Sequence, residues 1–154
     1  MALALRRKII ALACVLAATA GFAVALAAFS KSPQPEKTAI VDLTDWQLEI
    51  ASTDAARKQG LGGRSPLAPK NGMLFVFDEA GFYPFWMKDM TFALDIVWVN
   101  GNKVVEVASL EPPLVTNPNP AAHIPTHRAD SVLEINAGQA SALGLTPGIF
   151  VILP

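Results

Sequence analysis

Leu94-Asp95-Ile96-Val97-Trp98-Val99, then Asn100-Gly101, then Lys103-Val104-Val105-Glu106-Val107 is the stretch that decides the fold. Two runs rich in β-branched residues flank an asparagine-glycine pair. Tight hairpin turns need positive φ, which glycine and asparagine adopt at low cost, so this pattern predicts two antiparallel strands.

Working outward, other segments show strand patterns. In Trp46-Gln47-Leu48-Glu49-Ile50 the apolar residues alternate with polar ones, as in a half-buried strand. Met73-Leu74-Phe75-Val76-Phe77 is continuously apolar, as expected of a strand covered on both faces. Val132-Leu133-Glu134-Ile135 and Ile149 to Leu153 add two more. Ser52 or Thr53 can cap a short helix over Asp54–Gln59, with Gly60 as its left-handed stop. Gln139–Leu143 reads as one helical turn ending at Gly144. Five prolines between Pro112 and Pro125 predict a surface loop without regular structure. The sum is a mainly β unit, a small compact barrel or sandwich of about six strands with one or two short helices.

The N-terminal part differs in kind. Arg6, Arg7 and Lys8 precede Ile9–Phe29, 21 residues without a charge, and Ala25-Leu26-Ala27 offers a small-x-small cleavage site. This is the pattern of an export signal. The run also reaches the ~20 residues that span a bilayer as a helix, so it equally fits an uncleaved anchor with the domain on the outer face. The expected organisation is a signal peptide or membrane anchor at 1–29, a linker at 30–39 and a single globular domain at 40–154. The expected location is the periplasm or the outer face of the inner membrane, with membrane contact through the N-terminal segment if it is uncleaved.

All 13 acidic residues lie beyond residue 30. Set against the nine cations from Lys31 onward, they give that part a charge of about −4. This mild excess argues against nucleic acid as a partner, which demands a basic face. Cys14, the one cysteine, falls inside the apolar segment, so the domain has no disulfide and no thiol nucleophile. No Gly-x-Ser-x-Gly and no glycine-rich phosphate loop is present. Pro125 between His123 and His127 forbids the helical geometry of an i, i+4 metal pair, and both histidines are expected to be solvated. Met73, Met87 and Met90 near Trp86 are read as core filling rather than soft-metal ligands. No cofactor and no metal are expected.

Five side chains are candidates for a site. Asp95 lies in an apolar strand, so its carboxylate needs a cation or hydrogen-bond donors; Lys88 and Arg64 are the cations in adjoining segments. Glu134 alternates with Leu133 and Ile135. Converging at one mouth beside Trp86, these residues would make a pocket for an unknown small polar ligand such as a sugar. They would equally supply the two carboxylates of a glycan hydrolase. A purely structural ion-pair network, or a protein-partner role for the domain, also fits these residues. Whether the domain is an enzyme is left open.

The order of these segments resembles a known family. Gly60-Leu61 with Arg64, Gly72-Met73-Leu74-Phe75-Val76-Phe77, Phe85-Trp86-Met87-Lys88, Leu94-Asp95-Ile96, and Val132-Leu133-Glu134 with Gly138 are similar to domain of unknown function family 192 (uncharacterised protein family 0127). The resemblance runs from Trp46 to Leu153. It implies a compact, mainly β domain, often behind a signal sequence, and no particular activity. It carries over Arg64, Trp86, Lys88, Asp95 and Glu134. Departures are Gly62 where methionine is usual, Asp89-Met90 in place of Asn-Thr, Ala56 in place of glutamate, and Gly148-Ile149 in place of Gly-Asp.

Overall fold

The computed structural model describes residues 39–117 and 120–154. The expected signal or anchor segment at 1–29, and the linker as far as residue 38, lie outside the described residues. Among the described residues no helix is long and apolar enough to cross a membrane.

The asparagine-glycine stretch forms the hairpin it predicts. Strand β4 (Leu94–Asn100) pairs antiparallel with β5 (Lys103–Leu110), and Asn100 pairs with Lys103. The two-residue turn is therefore Gly101-Asn102, with Gly101 at φ +59°. Positive φ at the first turn position matches the twist of the strands that follow.

Around this hairpin the remaining strands are β1 (Ile40–Asp42), β2 (Gln47–Ala51), β3 (Asn71–Gly81), β6 (Ala129–Asn136) and β7 (Phe150–Ile152). They form a single sheet in the order β1-β7-β5-β4-β6-β3-β2, curled into a half-barrel. The expected mainly β unit with short helices is present, and the small barrel or sandwich of about six strands is, among the described residues, a half-barrel sheet of seven strands. The additional strand, β1, is only three residues long and carries too little pattern to be read as a strand. The two outermost pairings, β1 with β7 and β2 with β3, are parallel, and the interior ones are antiparallel.

Both faces of the sheet are covered, which explains why its central strands are apolar at successive positions. On β4, Leu94, Ile96 and Trp98 point into one core with Phe75, Phe85 and Val132, while Val97 and Val99 point into a second with Leu74, Leu133 and Ile135. A chain alternating across a pleat must supply apolar residues to both sides when neither side meets water. Gly72 permits the close packing of β3 on β6. A Cβ there would lie 2.7 Å from the Glu134 carbonyl oxygen and 2.9 Å from Leu48.

Among the described residues the two helices are α1 (Asp54–Gln59) and α2 (Gln139–Leu143). Thr53 caps α1, its hydroxyl accepting from the Ala56 N–H, and Gly60 ends it at φ +51°. Helix α2 begins at Gly138, whose missing side chain leaves the N-terminal amides to be met by another residue.

Candidate functional site

One cavity of about 620 Å³ opens on the first core face, between α1, the loop after it and the loop that follows β3. Its volume lies in the range of small-molecule pockets. Its walls include Leu61, Phe75, Phe85 and Met90, and Glu134 reaches it from β6.

Glu134 arrives there by register. It sits in an interior strand, opposite Met73 of β3 and Ile96 of β4, and is 6% exposed. Its Oε2 has no hydrogen-bond partner among the described residues. Burial without a compensating charge favours the neutral acid, and the Glu134 carboxyl is pushed up to about 8. Burial thus favours its protonated form. An unsatisfied buried acid is costly to the fold, and natural structures rarely retain one without a reason.

One wall is built as a stack. The Arg57 guanidinium lies 5.2 Å over Phe77, and Phe77 stacks on Tyr83 at 3.5 Å with an interplanar angle of 6°. Arg57 is fixed in place by donating to the Ser52 and Val76 carbonyls, each at 2.7 Å, and to Asp54 at 2.5 Å. Planar cations stack well on rings, and multiple fixed bonds hold the layer rigid.

The rim is formed where two loops meet. The Gly63 N–H donates to the Asp89 carbonyl at 2.8 Å, joining the loop after α1 to the loop after Phe85. Asp89 adopts φ +59°, a left-handed conformation that asparagine and aspartate tolerate better than most residues. Trp86 and Lys88 stand on this rim, both exposed, with the Lys88 ammonium 5.5 Å from the Trp86 ring centre. Lys58 lines the same opening.

The structure thus brings three of the five expected residues, Trp86, Lys88 and Glu134, to one cavity. It places the other two elsewhere. Arg64 pairs with Glu49 of β2 at 2.6 Å and does not line the cavity. Asp95 points into the opposite core, where it is 1% exposed. There it accepts from the Ser109 hydroxyl at 2.6 Å and from the Ala140 N–H at 2.8 Å. Asp95 does from a distance what a side chain at Gly138 cannot do, capping α2. The expectation that Asp95 would meet Lys88 or Arg64 is corrected, because the donors come from a helix terminus and a hydroxyl. The expectation that Asp95 and Glu134 converge is corrected too, because the two strands present them to opposite faces.

Arg57, Lys58, Phe77 and Tyr83 are cavity residues not singled out in the sequence. The cap at Thr53 and the stop at Gly60 mark the helix that carries two of them. Its contact with Phe77, twenty residues on, has no local signal.

The histidines also depart from expectation. Rather than both being solvated, they gather at Glu106 of β5. His123 Nε2 is 2.8 Å from Glu106 Oε1, and the Thr126 N–H and hydroxyl donate to Oε2 at 2.7 and 2.8 Å. His127 is more exposed, 3.7 Å from Oε2. This cluster ties the end of the proline-rich loop to the sheet. Beside it, Phe85 and His123 exchange backbone hydrogen bonds of 3.0 and 2.7 Å.

Fold and site together define a mainly β half-barrel domain with an aromatic-walled cavity lined in part by a buried acid, one oxygen of which has no partner among the described residues. The chain belongs to the family described as DUF192, Uncharacterized ACR, whose model matches residues 37–152. Two solved structures are similar. One is a protein of unknown function from Novosphingobium aromaticivorans, 30% identical, with a TM-score of 0.59, covering 67% of this chain and 71% of that one. The other is a candidate transcription regulator from Sinorhizobium meliloti, also 30% identical, with a TM-score of 0.57, covering 66% of this chain and 76% of that one. No curated protein is similar enough to match.

Proposed function

We propose that the domain is an exported, cell-envelope module that binds a small ligand in the cavity over Glu134. The observation that carries this reading is the carboxyl itself. Glu134 is one of the residues lining the cavity, and it is buried with an oxygen that no described group satisfies. A ligand that completes its hydrogen bonding recovers the free energy that the unliganded fold gives up. Trp86 and Lys88 at the rim and the Arg57–Phe77–Tyr83 stack in the wall add contact surface. Export rests on Arg6-Arg7-Lys8 and the apolar run behind them.

Binding is favoured over glycan hydrolysis by the positions of the two acids. A carboxyl pair must face one substrate across about 5 to 10 Å, and Asp95 and Glu134 face different cores. A protein-partner role draws on a separate observation, the exposure of Leu114, Val115 and Ile124 on the proline-rich loop.

The test is a thermal-shift screen of the full-length chain in mild detergent against small ring compounds, sugars and nucleotides. Ligands of the folded form raise its stability with ln(1 + [L]/Kd). The reading expects hits whose effect is lost in Glu134→Leu and weakened in Trp86→Ala. Hits that are indifferent to both substitutions would refute it.

A further inference from the structure

We infer that the cavity takes an organic anion with an aromatic body, its ring among the apolar walls and its charged group outward at Lys58 and Lys88. The inference rests on the binding role proposed above and names the chemistry of the ligand at the cavity opening, apart from Glu134.

The order of burial along the lining gives the orientation. Leu61, Phe75, Phe85 and Met90 are buried, whereas Lys58, Trp86, Lys88 and Asp89 are exposed. The lining thus runs from apolar inside to charged outside. Phe75 and Phe85 meet edge to face, 4.8 Å apart at 89°, and present ring surface to the inner wall. A flat apolar body is the guest that such a wall suits.

One junction brings the segments of the two lysines together. Lys58 lies in the last turn of α1, and Lys88 on the loop after Phe85. The Gln59 and Lys88 carbonyl oxygens both lie within 3.6 Å of the point that a Gly62 Cβ would occupy. The hydrogen bond from the Gly63 N–H to the Asp89 carbonyl closes the same junction. Lys58 and Lys88 therefore belong to one opening, which both of them line.

Charge selects the guest. The chain from Lys31 onward carries about −4, so acids outnumber cations. Arg57 pairs with Asp54, Arg64 with Glu49 and Lys70 with Asp45, yet among the described residues neither Lys58 nor Lys88 has a carboxylate partner. Since Asp54 is taken by Arg57, Asp89 alone stands against two ammonium groups on the lining. Trp86 holds one of them at the opening, its ring centre 5.5 Å from the Lys88 ammonium. An anionic group at the opening meets both lysines and stays in contact with water. Turned inward it would lose its hydration among rings, beside a buried acid that no described cation pairs with. An ammonium guest would meet like charge at the opening.

The experiment uses the full-length protein in a non-ionic detergent and three probes that share one ring system: 2-naphthoate, 2-naphthamide and 2-naphthylmethylamine. Binding is read from the NMR shifts of the Trp86 indole and the Met90 methyl. The expected result is that 2-naphthoate binds at least ~10-fold more tightly than 2-naphthamide, equivalent to about 1.4 kcal/mol. Raising the salt from about 50 to about 500 mM should shrink that advantage, because the charges face water. The double variant Lys58→Gln/Lys88→Gln should bind the acid and the amide alike, while Trp86→Ala weakens both together. Equal or tighter binding of the amide to the unaltered protein would overturn the inference. So would an advantage of the acid that survives the double variant, or 2-naphthylmethylamine binding most tightly of the three. In each of these cases a binding cavity would stand, with a different ligand chemistry. If none of the three probes moves the cavity signals, both the inference and the binding role fall.

Discussion

Asp95 and Glu134 stand on adjacent strands one residue out of step, Asp95 beside Ile135 and Glu134 beside Ile96, and so project from opposite faces of the sheet. Asp95 has partners for both oxygens, and Glu134 has an oxygen with none among the described residues. Asp95 accepts from Ser109 and from the start of α2, whereas Glu134 meets apolar neighbours and a cavity. Their consequences for stability and for binding should separate accordingly.

Asp95→Ala should destabilise the domain by about 3 kcal/mol, because it strands a buried helix amide and a hydroxyl. Asp95→Asn keeps an acceptor for Ala140 and a donor for Ser109, and should lose only about 1 kcal/mol. Denaturant unfolding measures both. Neither variant should alter occupancy of the cavity on the other face.

Glu134 makes stability depend on pH with a defined sign. Its carboxyl is raised by burial from the ordinary 4.5 to about 8 in the folded state. Between those values the folded chain holds a proton that the unfolded chain has released, so stability falls as pH rises. The contribution is fully present below pH 4.5 and is lost by about pH 8. From about pH 5 to pH 7.5 the loss should be on the order of 3 kcal/mol, and Glu134→Gln should flatten the slope. Urea unfolding across this range is the measurement.

Arg64 and Glu49 form a partly exposed ion pair away from the cavity. Arg64→Ala should therefore change stability by no more than about 0.5 kcal/mol and leave ligand affinity unchanged. Affinity measured for any hit from the ligand screen would show whether this arginine belongs with the site.

Glu106 should anchor the proline-rich loop through neutral pH and release it in acid. Burial alone would raise its carboxyl, but hydrogen bonds from His123 and from the Thr126 N–H and hydroxyl, with the charge of His123, hold it at about 2. A depressed carboxyl contributes stability above about pH 4.5 and loses it as pH falls toward 2. Glu106→Gln should increase exchange of the His123 amide, which is bonded to Phe85, by roughly 10-fold or more, about 1.4 kcal/mol, while β4 amides stay protected. Hydrogen exchange followed by NMR resolves the two regions.

Much of the fold was legible in the sequence because its signals are local. The turn at Gly101, the cap at Thr53 and the apolar run from Met73 each follow from neighbouring residues. Three features were not legible. Strand β1 is too short to show a period, and parallel pairing at the sheet edges leaves no turn signature. Whether seven strands close depends on cumulative curl rather than on any residue. For the site, alternation placed Glu134 and Asp95 within their strands, but not which face each strand's odd positions would take. That depends on the register of β4 against β6, which is set 40 residues apart. The resemblance grouped Arg64, Trp86, Lys88, Asp95 and Glu134 as one set, and physically the set divides into cavity, helix cap and surface pair.

The most direct measurement is a crystal structure of the protein soaked with a mixture of small ring compounds. The account predicts an ordered compound in the cavity, with a polar atom about 3 Å or less from a Glu134 carboxyl oxygen. Compounds ordered only elsewhere on the surface, with this cavity unoccupied at saturating concentration, would contradict it.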